Sequence, residues 1–182
     1  ALFIGLLRLF VDVFFVILDS LFKGVGMLRL ENHCLEMLYA EARKHYPAEC
    51  CGLLGGIRDD QVWHVQAVLP LRNVVSAGVH DSYQIDPQER HEKEAALRAK
   101  GLELMGFYHS HPDHGVYFSQ RDLEHSEEYQ FGEPWLKPVY AYVVVSVQGG
   151  VVKDYGAFIV EEGLSKSIKS EILEQRSQLH VS

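Results

Sequence analysis

Residues 102–122 read LELMGFYHSHPDHGVYFSQRD, and the rest of the chain is best read outward from them. The first part, 102–110, is apolar and aromatic in the manner of a β-strand; the polar loop 112–118 follows, and Ser119 carries a side chain suited to cap a helix. Successive side chains of a strand point to opposite faces, so His109 and His111 share a face about 6.6–6.8 Å apart and can converge on one cation. With Ser119 as cap, Asp122 falls in the first helical turn, where the helix dipole favours a carboxylate that can turn back toward the strand end. Two neutral imidazole nitrogens and one carboxylate make three protein ligands. Zinc held by three protein ligands keeps a fourth position for water, which is the catalytic rather than the structural arrangement. Such a metal lowers the pKa of its water toward about 7, but amide hydrolysis also needs a group that carries the water's proton to the leaving nitrogen.

Ten histidines give roughly half an H-x-H by chance, so the pair alone says little. With Ser119 and Asp122 at their positions, the chance of the whole pattern falls to roughly one in five hundred. Rival motifs fail: His91 stands in HEKEA, which lacks the second histidine of H-E-x-x-H, and no P-loop or dinucleotide-binding glycine fingerprint is present. His114 and His125 read as residues of the site's rim.

Further out, Leu35, Leu38, Tyr39, Ala42 and Tyr46 recur at helical spacing until Pro47. CCGLLGGI (50–57) and QVWHVQAVLP (61–70) read as a strand pair joined by a turn, and 71–85 as a long polar loop. Asp86-Pro87 opens a charged helix that Gly101 ends. KPVYAYVVVSVQ (137–148) and VVKDYGAFIV (151–160) flank Gly149-Gly150, a hairpin signal, and the polar tail from Glu161 reads as a solvated helix or frayed end. The fold class is α/β, a mixed sheet flanked by helices.

The spacing His109-Ser-His111-x7-Ser119-x2-Asp122 resembles the JAMM motif of the MPN+ metalloprotease family, and Pro47-Ala48-Glu49-Cys50-Cys51-Gly52-Leu53-Leu54-Gly55 resembles that family's glutamate-bearing segment. The likeness extends over about residues 27–163 and is closest to the small prokaryotic members. It implies an MPN/JAB-like, cytidine-deaminase-like architecture, one Zn2+ per chain held by His109, His111 and Asp122, Glu49 as general base and acid, and Ser119 stabilising the tetrahedral intermediate. It further implies a peptidase or isopeptidase acting at the C-terminal Gly-Gly of a ubiquitin-like or sulfur-carrier protein. Phe118 departs from the proline the family often has before the serine. The alternative reading is a non-catalytic interaction module of the same fold.

The composition agrees with a packed domain: 182 residues, 47% hydrophobic and 23% charged. A net charge of −8 without a Lys/Arg run argues against nucleic acid as a partner. Cys34, Cys50 and Cys51 are odd in number and lack zinc-knuckle spacing, so they read as core residues in a cytoplasmic protein. Residues 27–182 form the expected domain, and 1–26 an apolar extension. Within it, LFIGLLRLFVDVFFVILDSLF (2–22) is as long as a bilayer-spanning helix but holds Arg8, Asp12 and Asp19, each intramembrane charge costing about 2.5–3.5 kcal/mol. Three readings stay open for it: an added or mis-started segment, a membrane or partner helix, and a helix packed on its own domain.

Overall fold

The computed structural model of the protein describes residues 26–59, 62–75, 81–131 and 139–174. In chain order these form β1 (Met27–Glu31), α1 (Asn32–His45), β2 (Cys51–Arg58), β3 (Val62–Leu71), α2 (Pro87–Ala99), β4 (Glu103–Pro112), α3 (Gln120–His125), α4 (Glu127–Phe131), β5 (Ala141–Gln148), β6 (Val151–Glu161) and β7 (Leu164–Leu173). The stretch 2–22 lies outside the described residues. Among those residues, no helix is long and apolar enough to cross a membrane.

The expected punctuation is used. The Asp86 carboxylate accepts from Gln88 N and Glu89 N at the start of α2, with Pro87 in the first turn, and Gly101 beyond its end adopts φ +71. Gly149 and Gly150, at φ +55 and +77, turn β5 into β6.

The sheet is mixed, as expected, but it closes on itself in the order β1-β3-β2-β4-β5-β6-β7. The pairs β1–β3, β4–β5 and β7–β1 are parallel and the others antiparallel. Helix α1 is not a flanking layer. It packs against β1, β3, β4, β5, β6 and β7, so six strands curve around its buried stripe of Cys34, Leu38 and Ala42.

Closure depends on β7, where the sequence reading is corrected. Residues 164–173 are neither a helix nor a frayed end but a strand paired to β6 on one side and β1 on the other. The misleading feature is spacing: Ile168 and Ile172, the two residues packed on the core, lie four apart, a separation that puts side chains on one face of a helix and of a strand alike. The polar side chains between them are largely exposed, and main-chain pairing on both flanks holds the strand.

Strand β4 lies between β2 and β5 and is buried continuously from Met105 to His111. Tyr108 packs into the cluster around α1, whereas Phe107 joins Cys51, Leu53 and Tyr142 on the opposite face. The pleat therefore sends His109 and His111 to the side away from α1.

Candidate metal centre and cleft

The two imidazoles and the carboxylate meet. His109 Nε2 lies 3.1 Å from His111 Nε2, 3.2 Å from Asp122 Oδ1, and His111 Nε2 lies 3.3 Å from Asp122 Oδ2. All three residues are buried, and among the described residues they are the cluster whose ligand atoms could hold a metal ion. The donor set fits zinc: two nitrogens about 2.0–2.1 Å from one tetrahedral ion lie about 3.3 Å apart, close to the separation here.

Local chemistry aims each group. Ser119 and Asp122 form a reciprocal capping box: Asp122 N donates to Ser119 Oγ at 3.0 Å, and Ser119 N donates to Asp122 Oδ2 at 2.7 Å. The bond that starts α3 thereby turns the carboxylate back toward the histidines. His111 Nδ1 donates to the Gly115 carbonyl at 3.1 Å, which leaves Nε2 to present its lone pair to a cation. His109 is held differently, by a stack on Tyr83 with ring centroids 4.9 Å apart; its Nδ1 has no hydrogen-bond partner among the described residues.

The surroundings separate the titrations. Burial lowers the His109 pKa below its ordinary value. Burial acts the same way on His111, but the hydrogen bond to Asp122, the charges of Asp122 and Glu49 and the bond to the Gly115 carbonyl together outweigh it and raise the pKa. Burial also opposes ionisation of Asp122, yet the hydrogen bonds from His109 and His111 hold its carboxyl well below the usual range. Glu49 stands two residues before β2 with only 7% of its surface exposed, and its carboxyl is pushed up to about 8. Desolvation is the main cause; Asp122 and Asp81 add to it, while His111 and Arg121 oppose it.

A cleft of about 300 Å³ brings these groups to solvent. Glu49, His111, Ser119 and Asp122 line it, whereas His109 lies behind, fully buried. His114 and His125 line the wall, in keeping with rim positions. Tyr117, 45% exposed, packs on the His111 ring, and Arg121 Nη1, also in the lining, donates to the Asp81 carbonyl at 2.6 Å. The three cysteines are free and buried, and burial pushes the Cys34 and Cys50 thiols up to about 12.

Tyr83, Asn73, Ser110 and the Arg121–Asp81 pair carry no motif. Tyr83 and Asn73 come from the loop that lacks periodicity, and Ser110, though inside H-S-H, points to the other face of β4.

Comparison with known proteins places the chain in a family. The profile of Prok-JAB, prokaryotic homologs of the JAB domain, matches residues 31–156. The chain belongs to this family. It is 35% identical over 103 residues to a desampylase of Haloferax volcanii, covering 57% of this chain and 66% of that one. It is 31% identical over 137 residues to a Thermus thermophilus protein named "Probable TtuB-protein conjugate cleaving protease", covering 75% and 78%. A histone deubiquitinase of Xenopus laevis is 34% identical over 100 residues, 53% of this chain but only 12% of that much longer protein. Among solved structures, a Desulfitobacterium hafniense protein aligns with TM-score 0.67 and 26% identity, over 82% of this chain and 94% of that one.

Proposed function

We propose that the protein is a zinc-dependent peptidase or isopeptidase that hydrolyses the bond at the C-terminal Gly-Gly tail of a ubiquitin-like protein. The observation that carries this reading is the convergence of His109, His111 and Asp122 at a cleft that Glu49 and Ser119 also line. The names of the desampylase, the conjugate-cleaving protease and the deubiquitinase support the substrate class.

His109, His111 and Asp122 would hold the ion. When bound, zinc supplies the positive charge that acidifies water and polarises a carbonyl. Glu49 takes the proton of the attacking water and returns it to the leaving nitrogen, and its largely buried carboxyl suits a group that must bind and release a proton near neutrality. The Ser119 oxygen already accepts from Asp122 N, so its own hydroxyl hydrogen is free to donate to the developing oxyanion. The lining, which includes Tyr117 and the 81–83 segment, suits an extended tail of small residues.

Purified protein is expected to hold about one zinc per chain, and Glu49→Gln to abolish hydrolysis while keeping the metal. Turnover retained in that variant would remove Glu49 from the mechanism. Incubation of zinc-loaded protein with carrier proteins extended beyond Gly-Gly, read by mass spectrometry, tests the substrate: cleavage after Gly-Gly supports it, and cleavage of none favours a non-catalytic interaction module.

A further inference from the structure

The Glu49 carbonyl and the Cys50 amide nitrogen belong to one planar peptide unit. Asn73 Nδ2 donates to the Glu49 carbonyl at 3.1 Å, and Cys50 N donates to Ser110 Oγ at 2.9 Å. Both polar ends of the plane are thus held by side chains. The plane precedes β2, so the β2 ladder does not fix it. Ser110 also donates its own N–H to the Cys50 carbonyl at 3.0 Å. It is fully buried, and it is the residue between His109 and His111.

Asn73 uses its whole hydrogen-bonding capacity. Besides Glu49, its Nδ2 reaches the Ser82 carbonyl at 3.0 Å, and its Oδ1 accepts from Val75 N and Gln84 N at 3.1 Å each. The residue after Ser82 is Tyr83, which stacks on His109. One amide therefore joins the backbone of Glu49 to the segment that covers a histidine of the cluster.

We infer that Asn73 and Ser110 are positioning residues for Glu49: by holding both ends of the Glu49–Cys50 peptide they fix the backbone from which the carboxyl projects toward the His109–His111–Asp122 cluster. This rests on the reading of Glu49 as the proton carrier. Such a clamp matters because a catalytic group displaced by about 1 Å can cost about 10²-fold in rate.

Two full-length variants test the two ends. Asn73→Asp keeps the oxygen that Val75 and Gln84 use, at the same size, but has no N–H for Glu49 or Ser82. Ser110→Ala removes the acceptor of Cys50 N. With a ubiquitin-like protein joined through Gly-Gly to a lysine side chain as substrate, each zinc-loaded variant is expected to lose about 10- to 100-fold in kcat with KM changed by less than about twofold. Cobalt(II) affinity and absorption spectrum should match wild type, because no ligand has moved. In the metal-free protein, amide exchange at Cys50, followed by NMR, should accelerate by about tenfold or more while that of Val143 does not.

Unchanged kcat in both variants, loss of kcat in step with cobalt affinity, or unchanged Cys50 exchange would overturn the proposal. Either variant decides alone if the other does not fold. A wild-type protein that cleaves no such substrate sinks the functional reading instead, and Cys50 exchange then decides the clamp by itself.

Discussion

Asp122 serves the fold and the cleft with one carboxylate, and its two duties can be separated. Asp122→Asn keeps an oxygen for Ser119 N but loses the charge that faces His109 and His111. Zinc affinity, measured by competition with a chelating dye, should fall by more than about 100-fold, since even partners one shell further out cost about 10–100-fold. Asp122→Ala should lose as much affinity and in addition about 1 kcal/mol of stability from the broken capping box, read from the urea midpoint. An equal stability loss in both variants would mean that the cap depends on charge rather than on the oxygen. The legibility of the site follows the same division. His109, His111, Ser119 and Asp122 are readable because a strand end, a short loop and a capped helix start bring them together within one short stretch. Asn73 and Ser110 reach Glu49 and Cys50 across 24 and 60 residues, and no local spacing records such a contact.

At the level of elements, β4 is held in place by close backbone approach. A Cβ on Gly106 would stand 1.8 Å from the Ala141 carbonyl oxygen of the parallel partner β5. Gly106→Ala should therefore force the two strands apart and destabilise the protein by about 3 kcal/mol in urea unfolding; a loss near zero would show that β5 shifts freely. Helix α4 contributes through Glu128, whose carboxylate accepts from Tyr140 N at 3.0 Å and Tyr142 Oη at 2.5 Å. Burial raises the Glu128 pKa above its ordinary 4.5, the hydrogen bonds only partly opposing it. A carboxyl raised on folding favours the native state at pH values below its unfolded pKa, and that contribution fades as pH rises through the folded value. Wild type should therefore lose stability relative to Glu128→Gln as pH rises above about 4.5, and a pH-independent difference in urea midpoint would contradict this. Elements with a long helical period, such as α1, or a long β-branched apolar run, such as β5, are legible in the sequence. β1 does alternate, with Leu28 and Leu30 buried, but over only five residues and with Met27 apolar on the other face, and β7 carries a period that helix and strand share.

For the whole molecule, the decisive pairing is β1 with β7, from Met27 beside Lys169 to Glu31 beside Leu173. It turns a mixed sheet into a closed one and leaves neither strand with a free flank. A chain cut before Leu164 should expose one flank of β1 and one of β6, and is expected to aggregate or lose its cooperative thermal transition, as judged by size-exclusion chromatography and circular dichroism. A monomeric, cooperatively melting product would show that β7 is dispensable. The mixed sheet is readable from the strand runs, but closure is not, because it joins residues as far apart as Arg29 and Glu171, 142 positions along the chain. That distance sets an order of events on the ribosome: among the described strands β1 emerges first and waits for a neighbour that is translated last. Bringing such distant segments together has a large loop-closure cost and favours slow completion, so the nascent chain is most exposed to stray pairing with its copies in the interval before Leu173 leaves the exit tunnel.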